Sequence, residues 1–221
     1  DKIDQLIHAS NPTAILNGRL KSFGDYDTPE QNMPIVHPDR KTWELCLTSN
    51  DNWGYRPTDK NLKTINEVLQ IFTECLGMGG NLLLDIGPKA DGTIPEDQVR
   101  LLKSLGRWTS KHQEAIYGSL AGLPEGHFHG NSTLSKDSMC IYLFIPAVGI
   151  DTSNQANREM QYGHVSTTPV GQSNLKIILQ LKGLMSDIES ITVLGNNCSV
   201  PYKIVGKIDW SYVPGTIYMD V

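Results

Sequence analysis

The segments TAILNGRL (13–20), GDYDTPEQ (24–31) and WELCLTSNDNWGY (43–55) concentrate the polar and aromatic signatures of this sequence. The first and third segments begin with apolar runs typical of short buried strands, and each run ends in polar residues. The second segment is a loop rich in carboxylates. Apolar strands that end in polar, aromatic and acidic loops are how a barrel of alternating strands and helices presents an active site. We therefore expect these loops to form a functional site that the rest of the chain supports.

The surrounding pattern alternates helices and strands. Helical spacing of apolar residues predicts helices at 1–10, at 62–76 and from Pro95 onwards. A continuous apolar run at 81–86, bounded by glycine, predicts a strand buried on both faces of a parallel sheet. This alternation indicates parallel strands joined by crossover helices. Three such strands do not close a barrel, which needs about eight, so the pattern fits either an open sheet or half of a barrel.

The pattern changes after Gly118. Helical periodicity disappears, and short strand-like runs are punctuated by Gly, Pro, Asn and Ser, as in an antiparallel sandwich. The polar stretch 149–173 is expected to be a long loop. We therefore predict two domains, an α/β domain at 1–119, as an open sheet or half of a barrel, and an all-β sandwich at 120–221. The predicted strands of the second domain are 140–145, 175–181, 188–194, 202–205 and 216–221.

Composition excludes several functions. The net charge of −5 argues against binding a nucleic-acid backbone, which requires a clustered basic surface. No apolar run approaches the length of a membrane span. The four cysteines form no CxxC pair, and Cys46 and Cys75 are expected to behave as small buried hydrophobic residues. The histidines lack metal-binding spacing, no Gly-x-Ser-x-Gly elbow is present, and the glycines at 77–80 precede a strand instead of a helix, unlike a phosphate-binding loop.

The acidic loop carries the first candidate residue. Hydrolysis of a glycoside requires two carboxyl groups that flank the scissile bond. Glu30 follows Pro29, which stiffens the loop and fixes the direction of the carboxyl group. The alternative interpretation is that the loop carboxylates are surface charge, with Asp25 and Asp27 as solvated turn formers.

Three further candidates lie on or beside the predicted strands. Glu44 lies among apolar neighbours, and a buried glutamate requires either a partner or a function. Arg19 offers a planar guanidinium suited to hydroxyls or a carboxylate, so pairing with Glu44 is the alternative to a catalytic role for that glutamate. Trp53 offers either an apolar wall for a sugar or simple core packing beneath its loop.

Five blocks occur in order along the first half of this sequence: NGRL, GDYDTPEQ, WELCLTSNDNWGY, GMGGNLLLDIGPKADGTIP and GRWTSKHQEAIYGS. Together they resemble the α-L-fucosidases of glycoside hydrolase family 29. The resemblance covers about residues 1–119, while the β-rich remainder is similar to the family's C-terminal sandwich only in kind. The resemblance implies a retaining exo-glycosidase with a (β/α)8-like barrel, of which residues 1–119 would be the C-terminal half, followed by a β-sandwich.

The resemblance also implies roles for individual residues. Glu30 matches the general acid/base of many bacterial members, and Glu44 matches the position proposed for that role in some animal members. Arg19 matches an arginine that contacts fucose, and Trp53 matches an aromatic residue beside the methyl group of the sugar. The form of the acidic loop resembles the branch of the family that prefers branched fucosylated glycans.

One block of the family is missing. The nucleophile of the family is an aspartate in a Trp-x-Asp-type block, and no such block occurs here, where Asp1 and Asp4 lie on a predicted helix. The resemblance therefore implies the C-terminal portion of an enzyme, with its natural N-terminus upstream and a missing N-terminal half as a possible partner. It further implies a fucosylated oligosaccharide as substrate, no cofactor, no metal, and a periplasmic, secreted or lysosomal location. The rival hypothesis is a carbohydrate-binding or structural module without activity of its own.

Overall fold

The computed structural model describes residues 2–19, 24–38, 42–145 and 178–221. The chain divides into two compact units, Asp1–Ile145 with Leu194–Asn196, and Pro146–Val193 with Asn197–Val221. The expected loop at 149–173 lies outside the described residues. None of the helices in the described ranges has the length and apolar character that a bilayer crossing requires.

In its described residues, the first unit contains four helices and two small sheets. A parallel pair of strands, β1 and β2, lies among the helices, and an antiparallel sheet of three strands, β3–β4–β5, follows them. The helices are α1 (Lys2–Ser10), α2 (Ile65–Gly77), α3 (Glu96–Lys111) and α4 (Gln113–Ile116). The strands are β1 (Glu44–Thr48), β2 (Asn81–Asp85), β3 (Leu120–Ala121), β4 (Asn131–Leu134) and β5 (Ile141–Phe144).

Local signals set the bounds of the main helices. A capping box starts α2, in which the Thr64 side chain accepts from the Glu67 N–H while the Glu67 carboxylate accepts from the Thr64 backbone. Helix α3 begins directly after Pro95 and carries two acidic residues in its first turn, where they face the positive end of the helix dipole. The helices predicted from apolar spacing are therefore confirmed.

The core of the first unit lies on one face of the parallel pair. Alternation along β1 places Leu45 and Leu47 on the buried face, while Glu44 and Cys46 are only partly buried on the other. Helix α2 covers the buried face with Cys75. The fully buried cluster consists of Trp43, Leu45, Leu47 and Cys75, with Met33, Ile71, Met78, Leu82 and Leu84 packed against it.

Two predictions about the strands are wrong. The run 13–19 forms no buried strand: Asn17 makes a single bridge to Tyr26, and Ile15 is 75% exposed. Strand β2 is not buried on both faces, because Leu83 is 42% exposed on the face opposite the core. In the described part of the chain, α2 and the core cover one face of β2, and the other face remains open.

The antiparallel sheet of the first unit packs onto its helices. The Asn131 side chain donates to Thr73 Oγ1 of α2 at 2.9 Å, and the Thr133 hydroxyl donates to the Ala115 carbonyl at 2.8 Å. These strands thus pack with residues 1–119. The first compact unit therefore extends further along the chain than the domain boundary predicted from sequence. The assignment of 1–119 to a half-barrel and of 120–221 to a sandwich stays a prediction.

The second unit contains a separate antiparallel sheet. Its strands are β6 (Ile178–Lys182), β7 (Tyr202–Val205) and β8 (Thr216–Asp220), in the order β6–β8–β7. Leu181, Ile217 and Met219 are buried. Three of the runs predicted as strands are thus found in this sheet, whereas 188–194 contributes only an isolated bridge between Thr192 and Ser199.

Candidate functional site

Arg19 and Glu30 form a direct ion pair. Arg19 Nη1 lies 2.6 Å from Glu30 Oε2, and both side chains are nearly half exposed. Two of the four candidate residues are thus brought together. The ion pair of Arg19 is with Glu30, whereas the sequence had suggested Glu44 as its alternative partner.

Backbone pairing with β1 places Glu30. The Cys46 N–H donates to the Pro29 carbonyl, and the Gln31 N–H donates to the Cys46 carbonyl, both at 2.9 Å. The pairing is parallel, so Glu30 and Cys46 project to the same face. Gln31 then adopts a left-handed backbone, with φ of 64°, and its side-chain oxygen accepts from the N–H and hydroxyl of Thr48. This contact ends the extended segment directly after Glu30.

A second set of backbone contacts places Arg19. The Gly18 N–H donates to the Tyr26 carbonyl at 2.8 Å, and the Asp25 N–H donates to the Leu16 carbonyl at 2.6 Å. The Asp25 carboxylate accepts from the Leu16 N–H at 2.7 Å, so Asp25 holds the backbone here, as the turn-forming interpretation expects. Arg19 thereby emerges beside the acidic loop.

An open cavity of about 600 Å³ contains the ion pair. His37 was not a candidate from sequence, but it lines this cavity, and its Nδ1 lies 2.7 Å from the Pro38 carbonyl oxygen. A histidine in a proline-rich loop gave no spacing signal that could have identified it. The lining residues in the described part of the chain are Gly18, Arg19, Asp27, Thr28, Pro29, Glu30, Pro34, Val36, His37 and Pro38.

Glu44 and Cys46 share one face of β1. Burial raises the pKa of the Cys46 thiol, and the nearby Arg19 guanidinium opposes that shift. The carboxylates of Glu30, Asp85 and Glu44 add to the electrostatic field at the same thiol.

Asp85 at the end of β2 was missed from the sequence. Its Oδ2 atom is buried and has no hydrogen-bond partner among the described residues, and burial raises the pKa of this carboxyl. The only sequence signal was an acidic residue that ends an apolar run. A buried carboxylate oxygen without a donor is costly.

Trp53 lies apart from the ion pair, on the loop after β1. Its side chain is 44% exposed, so it does not pack in the core, and within the described part of the chain it is not among the residues that line the cavity. The structure therefore joins Arg19 with Glu30 but does not place Trp53 in contact with them.

A cofactor or metal would need clustered ligands. Within the ranges that the structure describes, no group of three or more His, Cys, Asp or Glu side chains is arranged to hold a metal ion.

Comparison with known proteins identifies the family. The alpha-L-fucosidase family model matches residues 2–114, which include the ion pair and the strands that carry it. This chain belongs to the alpha-L-fucosidase family.

The chain is similar to alpha-L-fucosidases of Rattus norvegicus and Dictyostelium discoideum. Tissue alpha-L-fucosidase of Rattus norvegicus is 43% identical over 108 residues, which cover 47% of this chain and 23% of the rat protein. The Dictyostelium discoideum alpha-L-fucosidase is 38% identical over 115 residues, covering 48% of this chain and 25% of that protein. The matched part is therefore about a quarter of each relative's length.

Solved fucosidase structures match the whole described fold. Alpha-L-fucosidase isoenzyme 1 from Paenibacillus thiaminolyticus aligns with a TM-score of 0.74 at 23% identity, covering 100% of this chain and 49% of that one. The enzyme from Vibrio sp. strain EJY3 aligns with a TM-score of 0.73 at 25% identity, covering 99% and 34%. The chain thus spans half or less of these fucosidases.

Proposed function

We propose that this chain supplies the acid/base side of a retaining exo-α-L-fucosidase that releases L-fucose from fucosylated glycans. The observation that carries the proposal is the contact between Arg19 and Glu30 in an open cavity beside the parallel strands. A carboxyl group for proton transfer and a cation for the sugar are thereby within reach of one ligand.

The mechanism is a double displacement with two carboxylates. Glu30 first protonates the departing glycosidic oxygen and then removes a proton from the water that hydrolyses the fucosyl intermediate. The second carboxylate attacks the anomeric carbon, and the two carboxyl groups lie about 5–5.5 Å apart. Because the sequence has no Trp-x-Asp block, a segment outside these 221 residues supplies this nucleophile.

Glu44 is the alternative acid/base. It lies on the same face of β1 as Cys46, whose backbone pairs with Glu30, so it is close enough to merit a test. The ion pair with Arg19 favours Glu30, because the residue that transfers the proton must lie beside the groups that bind the sugar. Arg19 binds sugar hydroxyls, and Trp53 packs against the methyl group of fucose.

The order of the backbone segments supports a half-barrel. Parallel bridges join Asn17 to Tyr26, Asp27 to Trp43 and Glu30 to Cys46, and β1 pairs in parallel with β2. Parallel pairing between successive segments of the chain is a feature of a (β/α)8 barrel.

The open face of β2 favours a missing N-terminal half as its partner. Leu83 is largely exposed on that face, and the buried Asp85 oxygen lacks a donor in the described part of the chain. In a closed barrel such side chains fill the interior in layers. We infer that the N-terminal half covers Leu83 and offers a hydrogen-bond donor to Asp85.

Relatives named plasma alpha-L-fucosidase favour action outside the cytosol. We propose a secreted or periplasmic enzyme, with a lysosomal location as the alternative, acting on fucosylated oligosaccharides or glycoconjugates without a cofactor, since carboxylate chemistry at a glycosidic bond requires none.

A carbohydrate-binding module is the second candidate function. In the second unit, Trp210 is 87% exposed and Tyr212 is similarly exposed on the turn between β7 and β8. Exposed aromatic rings pack well against the C–H faces of sugars. Titration calorimetry of the chain and its Trp210→Ala variant with fucosylated oligosaccharides tests this alternative. Binding that the substitution removes supports the binding module, and absence of binding supports a purely structural role.

The activity itself is tested by release of nitrophenol from 4-nitrophenyl α-L-fucoside. We expect the 221-residue chain alone to be inactive, and activity to appear when it is co-produced with a polypeptide that carries the matching N-terminal half. A Glu30→Gln chain in the same complex is the matched control. Turnover by the chain alone would refute the need for a second half, and an inactive complex that nevertheless assembles would refute the acid/base proposal.

A further inference from the structure

The loop between β1 and α2, residues 49–62, is called the aromatic loop here because it carries Trp53 and Tyr55, both partly exposed. Its ends are held together at Lys63, whose N–H donates to the Ser49 carbonyl at 2.9 Å and whose Nζ donates to the Thr48 carbonyl at 2.8 Å. A compact surface loop with its ends close together is an Ω-type loop, a class that is frequently functional.

The carboxylate of Asp59 joins the two arms of the aromatic loop. One oxygen accepts from the Asn52 side chain at 2.6 Å and from the Asp51 N–H at 3.1 Å. The other oxygen accepts from the Asn61 N–H at 3.0 Å. These hydrogen bonds, that of Asn52 foremost, lower the pKa of Asp59. Both oxygens are therefore used inside the loop.

Two further contacts hold the tip of the loop. The Asn61 side chain donates to the Asp51 carboxylate at 2.5 Å, a second link between the arms. The backbone at Gly87 approaches the tip so closely that a Cβ there would lie 2.8 Å from the Tyr55 nitrogen. The aromatic tip is thus held by a carboxylate on one side and by the turn after β2 on the other.

We infer that Asp59 is a positioning residue that fixes Trp53 and Tyr55 for contact with the sugar. The inference rests on the proposed function, because it takes Trp53 as a sugar contact. Asp59 accepts a hydrogen bond from the side chain of Asn52, which is the residue directly before Trp53. This bond therefore restrains the backbone that carries the Trp53 ring. Ordering a loop residue costs about as much free energy as one ring–sugar contact returns, so the loop must be ordered before the sugar arrives.

The role of Asp59 depends on its charge as well as its shape. All three of its bonds within the loop come from N–H donors, and a carboxylate is an acceptor only. Asn at this position has nearly the same size but replaces one oxygen with an NH₂ group that faces a donor. The substitution Asp59→Asn therefore breaks one arm of the link without removing volume.

The test uses the full chain as wild type and as the Asp59→Asn variant. The matched control is Asp137→Asn in the turn after β4, where Asp137 likewise accepts from a side chain, Ser135, and a backbone N–H, that of Met139. Two properties are measured. The first is the rate of amide hydrogen exchange of residues 50–62. The second is the acrylamide quenching of Trp53 fluorescence, obtained as the difference from a Trp53→Phe chain. We expect exchange in the loop to accelerate at least tenfold and Trp53 to be quenched more readily in Asp59→Asn only, with the midpoint of urea unfolding unchanged.

A second arm tests the link to the sugar. In the complex that restores activity, Asp59→Asn is expected to raise KM for the nitrophenyl fucoside several-fold while kcat changes less than twofold, and Asp137→Asn is expected to change neither. Unchanged loop exchange in Asp59→Asn overturns the inference, and so does a loosened loop with an unchanged KM. If the wild-type complex is inactive, the proposed function fails, while the exchange measurement still decides whether Asp59 orders the loop.

Discussion

Arg19 Nη1 contacts Glu30 Oε2 at 2.6 Å, although both side chains are largely accessible to water. Exposed ion pairs contribute at most about 1 kcal/mol to stability because solvent screens them and two long side chains must be ordered. The ion pair therefore contributes little to the stability of the fold. A more useful consequence is that a sugar entering the cavity meets a guanidinium and a carboxyl group already placed together.

Replacement of the acid should depend on the leaving group. In the reconstituted complex, Glu30→Gln is expected to lower kcat/KM, which reports the bond-breaking first step, by about 10²–10⁴-fold on an oligosaccharide, because a poor leaving group requires protonation. The loss should be much smaller on a dinitrophenyl fucoside, whose leaving group departs without help. Initial rates on the two substrates measure the difference.

The variant Glu44→Gln is the matched control for Glu30. If the acid/base is Glu30, Glu44→Gln should retain most of its activity on both substrates. The reverse pattern, in which Glu44→Gln alone shows the dependence on the leaving group, would transfer the role to Glu44.

Loss of the indole at position 53 should weaken sugar binding. A ring stacked on an apolar sugar face contributes about 0.5–1.5 kcal/mol, so Trp53→Ala is expected to lower kcat/KM about 2–12-fold, and Trp53→Phe less. Tyr117→Ala removes an exposed aromatic side chain from a different element, directly after α4, and it should leave kcat/KM unchanged. Equal effects at positions 53 and 117 would argue against a sugar contact.

Gly80 is required by the core. A Cβ at this position would overlap the indole of the fully buried Trp43, so Gly80→Ala is expected to destabilise the chain by about 1–3 kcal/mol. Gly106 lies in α3 with open space around it, and Gly106→Ala should instead stabilise by about 0.5–1 kcal/mol. Urea unfolding measures both changes, and a smaller penalty for Gly80→Ala in a Trp43→Leu background would confirm the overlap.

The four thiols should react in two classes. Cys140 and Cys198 are exposed, and we expect Ellman's reagent to modify them rapidly in the folded chain. Burial raises the pKa of Cys75 to about 12, so this thiol should react only on unfolding, and Cys46 should react slowly. Rapid reaction of Cys75 under native conditions would contradict the packing of α2 on β1.

The sequence predicted what depends on local pattern. Helix α2 follows from apolar spacing, and β1 follows from an apolar run. The same logic failed at Ile15, because a short apolar run becomes a buried strand only if other elements cover it. The open face of β2 was missed for the same reason: the residues themselves do not record which face is covered.

Relationships between loops were harder to predict. Arg19 and Glu30 were each chosen from sequence, but their contact depends on the register of two extended segments. The role of Asp59 depends on the path of a whole loop that returns on itself. Turn-forming Asp and Asn residues at 51, 52, 59 and 61 were visible, yet many loops carry such residues without being tied in this way.

The uncovered side of β2 affects how this chain should be handled. Strand β2 presents Leu83 to water on one face, and its edge opposite β1 has no neighbouring strand in the described part of the chain. Such an edge is a template with which a second copy of the chain can pair. At the concentrations used for purification, a second copy of the chain competes with the N-terminal half for this edge. Synthesis of both polypeptides in one cell, so that they meet as they fold, should therefore yield more of the assembled enzyme than mixing two purified pieces.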